Sequence, residues 1–116
     1  MNILIIEDEK STARDLSKTI KEVQPEAIVV DIITSVEDAK EYLAKHSSID
    51  LIFSDIQLGD GLSFEIFETL KTNIPVIFCT AHNEYALKAF KSFGIDYILK
   101  PFVKEDLIRR VHKIVI

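Results

Sequence analysis

The chain has the sequence pattern of a doubly wound α/β domain built on a five-stranded parallel sheet. Short apolar runs rich in β-branched residues alternate with longer stretches in which apolar residues recur at helical spacing. The third run, Leu51-Ile-Phe53, is apolar throughout, which is typical of a central strand covered on both faces. Five strand–helix units account for the 116 residues, so we predict one domain over 1–116.

The five predicted strands are short and apolar, and most of them end in a polar residue. They are assigned to Asn2–Glu7, Ala27–Ile33, Asp50–Ser54, Pro75–Thr80 and Asp96–Leu99. The stretch between the third strand and the next helix, Gln57-Leu-Gly-Asp-Gly61, is rich in turn-forming residues and is predicted to be a loop.

Helical spacing of apolar residues predicts a helix after each strand. The first helix ends before Pro25, and Ser35-Val-Glu-Asp38 is predicted to form a capping box at the start of the second. The fourth spans about 83–92 with Gly94 as its stop, and the fifth spans about 104–113. The predicted buried positions of the first three helices are Ala13, Leu16, Ile20, Val23, Val36, Ala39, Leu43, Ile66, Phe67 and Leu70.

Composition excludes several classes of function. A net charge of −5 argues against nucleic-acid binding by this domain, which would need a basic face. No apolar run approaches the ~20 residues of a membrane span, and no basic segment precedes an apolar one as in a signal peptide. Cys79 is the single cysteine, which excludes an internal disulfide and fits the reducing cytoplasm, where we expect the protein to be located.

Polar side chains follow the apolar runs where the predicted strands end. Glu7 and Asp8 follow the first strand, Asp55 follows the third, and Thr80 and Lys100 lie at the ends of the fourth and fifth. The carboxyl ends of parallel strands meet at one rim, where open α/β sheets bind ligands. Three carboxylates, a hydroxyl and an ammonium at one rim predict a site for a hard cation, best fitted by Mg²⁺, and for a phosphoryl group.

The same residues suggest a chemical role for Asp55. Neighbouring carboxylates raise one another's pKa unless a cation compensates, and both Lys100 and Mg²⁺ can provide that compensation. Asp55 is then ionised and able to attack phosphorus, as carboxylates do when they form aspartyl phosphates. Thr80 is placed to donate a hydrogen bond to an incoming phosphoryl oxygen, and Lys100 to place its charge beside another.

Over its whole length the chain resembles the receiver domains of two-component response regulators. The residues that carry the resemblance are Glu7-Asp8, Asp55, Asp60-Gly61, Thr80-Ala81 and Lys100-Pro101. The resemblance implies a flavodoxin-like (βα)5 fold with strand order 2-1-3-4-5, phosphorylation of Asp55 by a sensor histidine kinase, and use of small donors such as acetyl phosphate. It further implies that Glu7, Asp8, Asp55 and the backbone carbonyl of Gln57 bind Mg²⁺, that Thr80 and Lys100 contact the phosphoryl group, and that Lys100-Pro101 is a cis bond.

The resemblance also implies a switch and an output. Tyr97 stands where receivers carry an aromatic residue that rotates inward behind the hydroxyl of Thr80 upon phosphorylation. The face formed by the predicted fourth helix, fifth strand and fifth helix would then change and could support a homodimer. The string Tyr85-Ala-Leu-Lys-Ala-Phe90 resembles receivers that precede LytTR-type DNA-binding domains, so we expect transcription to be controlled by a separate domain beyond residue 116.

Two other functions remain as alternatives. A receiver-like module could dock to partners without being phosphorylated, although all the expected site residues are present. A Mg²⁺-dependent phosphohydrolase with an aspartyl nucleophile would need a second carboxylate two residues after Asp55, and that position is Gln57. Because its only expected chemistry is its own phosphorylation and dephosphorylation, we do not expect the domain to be an enzyme acting on other substrates.

Overall fold

The computed structural model describes residues 1–70, 73–81 and 96–115. The main sheet in these ranges has five parallel strands in the order β2-β1-β3-β6-β7. Its strands are β1 (Asn2–Ile6), β2 (Ile28–Ile33), β3 (Leu51–Ser54), β6 (Val76–Thr80) and β7 (Asp96–Leu99). Because β6 and β7 are the predicted fourth and fifth strands, the predicted order is confirmed.

The described helices lie close to their predicted positions. They are α1 (Lys10–Val23), α2 (Val36–Lys45), α3 (Phe64–Leu70) and the last helix (Lys104–Val115), which runs two residues beyond its predicted end. The predicted fourth helix, about 83–92, and its stop at Gly94 lie outside the described residues. None of the described helices is both long enough and apolar enough to cross a bilayer.

Helices cover both faces of the sheet. Successive residues of each strand point to opposite faces, so each strand contributes to two core clusters. Leu4 and Ile6 of β1 belong to one core cluster with residues of α2 and α3. Ile3 and Ile5 belong to the other cluster, which contains residues of α1 and the last helix. All four residues of β3 are buried, as predicted for a central strand. The doubly wound fold is therefore confirmed.

The segment after β3 differs from the predicted loop. Gln57–Leu58 (β4) pairs antiparallel with Gly61–Leu62 (β5), so the segment is a short hairpin that turns at Gly59 and Asp60. The hairpin also modifies the predicted capping box. Ser35 Oγ accepts a hydrogen bond from the Asp38 amide at 3.1 Å, but the amides of the first two residues of α2 donate to the Asp60 carboxylate. Capping of α2 thus combines a local residue with one from a distant segment.

Candidate functional site

Backbone hydrogen bonds align the strand ends that form the rim of the sheet. The Asp55 amide donates to the Ile6 carbonyl at 2.9 Å, which fixes the residue after β3 beside the end of β1. The Lys100 amide donates to the Thr80 carbonyl at 2.8 Å, which aligns the ends of β6 and β7 in the same way. The peptide bond between Lys100 and Pro101 is cis. Side chains that are far apart in sequence therefore share one edge of the sheet.

Three carboxylates form a cluster at this rim. Glu7, Asp8 and Asp55 each place one oxygen so that the three oxygens lie within 4.8 Å of one another. Glu7 is 3% exposed, Asp55 is half-buried and Asp8 is exposed. The cluster is thus open to solvent on the side of Asp8 and closed on the side of Glu7.

Lys100 connects two of these carboxylates. Its Nζ donates to Glu7 Oε1 at 2.5 Å and to Asp55 Oδ2 at 3.0 Å. The second oxygen of Asp55, Oδ1, accepts from the Ile56 amide at 2.6 Å, and Glu7 Oε2 accepts from the Glu9 amide at 3.2 Å. The carboxylates of Glu7 and Asp55 are therefore oriented by hydrogen bonds at both oxygens.

Burial and charge act in opposite directions at this site. Burial raises the pKa of Glu7, and the hydrogen bond from Lys100 opposes that rise only in part. Burial would lower the pKa of Lys100, but the hydrogen bonds to Glu7 and Asp55 and the charges of these two carboxylates together outweigh burial and raise that pKa above its usual value. Lys100 is therefore firmly protonated at neutral pH. With all three carboxylates ionised, the group carries two negative charges in excess of the ammonium.

This donor set fits a hard divalent cation. Mg²⁺ is bound by oxygen ligands, commonly one or two carboxylates with waters and phosphate oxygens. The cluster offers carboxylate oxygens from Glu7, Asp8 and Asp55, and a divalent cation would offset the excess of negative charge. Exposure of Asp8 gives such an ion a route from solvent.

The remaining predicted site residues occupy the same rim or its neighbourhood. Thr80 is fully buried at the end of β6. Gln57 is exposed at the start of the hairpin, two residues after Asp55. Tyr97 lies in β7, pairs in register with Phe78 and is half-buried against the core cluster that contains Phe78.

A family model described as the response regulator receiver domain matches residues 3–112. The chain belongs to this family. The LytT sensory transduction protein of Bacillus anthracis is 40% identical to this receiver domain over 97% of the chain, and the LytR sensory transduction protein of Staphylococcus epidermidis is 34% identical over 98%. The matched region is 46% of each relative, so the receiver domain spans about half their length. These relatives agree with the LytTR-type resemblance of the sequence.

Solved structures show the same fold. The response regulatory domain of the protein mrkE from Klebsiella pneumoniae superposes with a TM-score of 0.88 at 27% identity, over 99% of this receiver domain and 95% of that chain. A two-component response regulator from Clostridium difficile superposes with a TM-score of 0.85 at 28% identity, with coverage of 99% and 95%. The flavodoxin-like arrangement expected from the sequence is therefore shown.

One contact of the site region was missed from the sequence. Asp60 was identified only as part of a motif in a loop, whereas its carboxylate binds the amides of Val36 and Glu37 at the start of α2. These residues are 24 and 23 positions away, and no local pattern connects them. The turn-forming composition of the segment indicated a turn but not the partner of the carboxylate.

Proposed function

We propose that this receiver domain is a phosphorylation-operated signalling switch in a two-component phosphorelay, with Asp55 as the phosphoacceptor. The observation that carries the proposal is the placement of Asp55 between a carboxylate cluster and an ammonium. One oxygen of Asp55 lies within 4.8 Å of oxygens of Glu7 and Asp8, and Lys100 Nζ lies 3.0 Å from Oδ2. A nucleophilic carboxylate beside a cation site and a fixed positive charge suits attack on a phosphoryl group.

The transfer asks little covalent chemistry of the protein. An oxygen of Asp55 forms a bond to phosphorus while the bond from phosphorus to the nitrogen of the donor histidine breaks, and that nitrogen keeps the bonding electron pair. Glu7, Asp8, Asp55 and the Gln57 carbonyl would hold Mg²⁺, which neutralises negative charge on the carboxylates and the phosphoryl oxygens when it is bound. Lys100 remains protonated and contributes a second positive charge at the rim.

Lys100 must exchange one partner for another during this reaction. In the structure its ammonium is bound to Glu7 and Asp55. Phosphorylation converts one Asp55 oxygen into the bridging oxygen of an acyl phosphate, a mixed anhydride, and brings in phosphoryl oxygens with more negative charge. The ammonium is then expected to contact a phosphoryl oxygen, and the buried hydroxyl of Thr80 is expected to donate to another.

The switch would follow from this change at Thr80. Tyr97 is next to β6 in the sheet and half-buried, so its ring can respond to a shift of the strand end that carries Thr80. Movement of Tyr97 would alter the surface around β7 and the last helix, where a homodimer or an output domain could bind. If Tyr97→Ala left phosphorylation-dependent dimerisation or partner binding unchanged, this part of the proposal would be wrong.

The partner and the output are inferred from the family. A sensor histidine kinase is the expected phosphodonor. The LytT and LytR relatives are named sensory transduction proteins and are about twice as long as the matched region. We infer that this receiver domain controls a separate DNA-binding domain and does not itself contact DNA, in keeping with its net charge of −5.

Intact-protein mass spectrometry after incubation with acetyl phosphate tests the proposal. The wild type should gain one phosphoryl group in the presence of Mg²⁺ and none in EDTA. Asp55→Asn should gain none, and Asp15→Asn, a matched change at an exposed position of α1, should behave as the wild type. No gain by the wild type, with a histidine kinase also tried as donor, would favour the docking module that works without phosphorylation.

A further inference from the structure

The Asp60 carboxylate joins the hairpin after β3 to the start of α2. Oδ1 accepts from the Val36 amide at 2.8 Å and Oδ2 accepts from the Glu37 amide at 3.1 Å. The first amides of a helix have no partners within the helix and favour negative charge. These two hydrogen bonds lower the pKa of Asp60 below its ordinary value of 3.8.

The hairpin that carries Asp60 has a defined shape. Gln57 pairs with Leu62 and Leu58 pairs with Gly61, so Asp60 occupies a two-residue turn. Gly61 has a φ of +148°, which a residue with a side chain rarely adopts. Beyond the hairpin, the Ser63 amide donates to the Ile56 carbonyl at 2.8 Å and closes its base. Because the base is closed, a displacement at the turn would pass along both short strands.

The same hairpin lies against the acidic cluster. A Cβ atom on Gly59, next to Asp60 in the turn, would be 4.0 Å from Asp8 Oδ2. Gln57, at the other end of β4, is two residues after Asp55. The hairpin is therefore attached to α2 through Asp60, lies beside Asp8 through Gly59, and is joined by the chain to Asp55 through Gln57.

We propose that Asp60 is a positioning residue that sets the cation affinity of the site without touching the ion or the phosphoryl group. By holding the turn against α2, it fixes the Gln57 backbone and the backbone beside Asp8 with respect to the three carboxylates. This inference rests on the proposed function, since it assumes that the cluster binds a divalent cation. Partners that orient metal ligands commonly change metal affinity by about 10–100-fold when they are removed.

The test is a titration with Mn²⁺, which substitutes for Mg²⁺ and is followed by electron paramagnetic resonance. Asp60→Ala should bind Mn²⁺ about tenfold more weakly than the wild type. The Mn²⁺ affinity of Asp60→Asn should lie between those of Asp60→Ala and the wild type, because the amide oxygen of asparagine can still accept one of the two hydrogen bonds. Ser35→Ala removes the 3.1 Å hydrogen bond to Asp38 at the same end of α2 and should bind as the wild type.

Other results of the Mn²⁺ titration would overturn the positioning role of Asp60 alone or together with the proposed function. Wild-type affinity in Asp60→Ala, or an equal loss in Ser35→Ala, would overturn the positioning role while leaving the proposed function intact. A wild type that binds no Mn²⁺ would overturn both. If circular dichroism shows that Asp60→Ala is unfolded, Asp60→Asn decides: wild-type affinity in that folded variant overturns the positioning role.

Discussion

Replacement of Lys100 by methionine should destabilise the domain through the carboxylates that it leaves behind. Methionine keeps most of the aliphatic stem and removes the ammonium, which lies 2.5 Å from Glu7 Oε1 and 3.0 Å from Asp55 Oδ2. Removing one partner of a fully buried ion pair costs about 3–5 kcal/mol. The side chains of Lys100, Asp55 and Glu7 are 19%, 12% and 3% exposed, so partial contact with water reduces the cost below that of a fully buried pair. We expect a loss of about 2–3 kcal/mol in the free energy of unfolding.

The pH dependence of this loss has a definite sign. Burial already raises the pKa of Glu7 above its ordinary value of 4.5, and the hydrogen bond from Lys100 is the largest effect that lowers it. Without Lys100 the pKa of Glu7 should rise further. A carboxyl with a higher pKa in the folded state takes up a proton on folding, so the folded state gains stability as the pH falls. The loss in the free energy of unfolding caused by Lys100→Met should therefore be largest above the folded-state pKa of Glu7, and it should shrink as the pH falls toward 4.5.

Urea denaturation in EDTA, followed by circular dichroism at several pH values, measures this loss in the free energy of unfolding. Lys104→Met is the matched control, since Lys104 pairs with Glu22 at 3.5 Å with side chains 48% and 46% exposed. That variant should lose less than about 0.5 kcal/mol. A loss in Lys100→Met as small as in the control, or a loss that does not change with pH, would refute the electrostatic account of the site.

Three further predictions concern the core. Burial raises the pKa of the Cys79 thiol to about 12, so only about 10⁻⁵ of folded molecules carry the thiolate at neutral pH. Iodoacetamide should therefore label Cys79 only in the unfolded chain, and rapid labelling of the native protein would contradict this. The Ser63 hydroxyl is buried with no hydrogen-bond partner among the described residues, so Ser63→Ala should raise the free energy of unfolding, measured by urea denaturation, by about 1 kcal/mol. A lower free energy of unfolding in this variant would show that the hydroxyl is bonded. Phe78→Leu should cost about 1–2 kcal/mol, because Phe78 packs edge-on against Phe64 and Phe67 at centroid distances of 5.4 and 5.9 Å; an unchanged thermal midpoint would contradict that packing.

Features set by local pattern were predicted well from the sequence. The strand positions follow from short apolar runs, most of which end in polar residues, whereas the strand order follows only from the family resemblance. The rule that parallel strands present their carboxyl ends at one rim predicts that Glu7, Asp8 and Asp55 lie together, as they do in the structure. The charge compensation by Lys100 was also predictable, since an ammonium after the last strand must lie near those carboxylates.

Features set by distant contacts were not predictable. The short ladder between Gln57–Leu58 and Gly61–Leu62 involves only two residues on each side, too few for an alternating pattern. The hydrogen bonds from Val36 and Glu37 to Asp60 depend on how α2 packs beside the hairpin. Local sequence showed Ser35 as a cap and gave no sign that a second capping group would come from another segment.

The central claim is that Asp55 accepts the phosphoryl group, and chemical trapping of the modified residue tests it most directly. After phosphorylation with acetyl phosphate and Mg²⁺, borohydride reduces an aspartyl phosphate to homoserine, which peptide mass spectrometry then locates. The account predicts homoserine at position 55 alone, with aspartate and glutamate unchanged at positions 8 and 7. Homoserine at position 8, or a reduced glutamate at position 7, would contradict the assignment of Asp55 as the nucleophile.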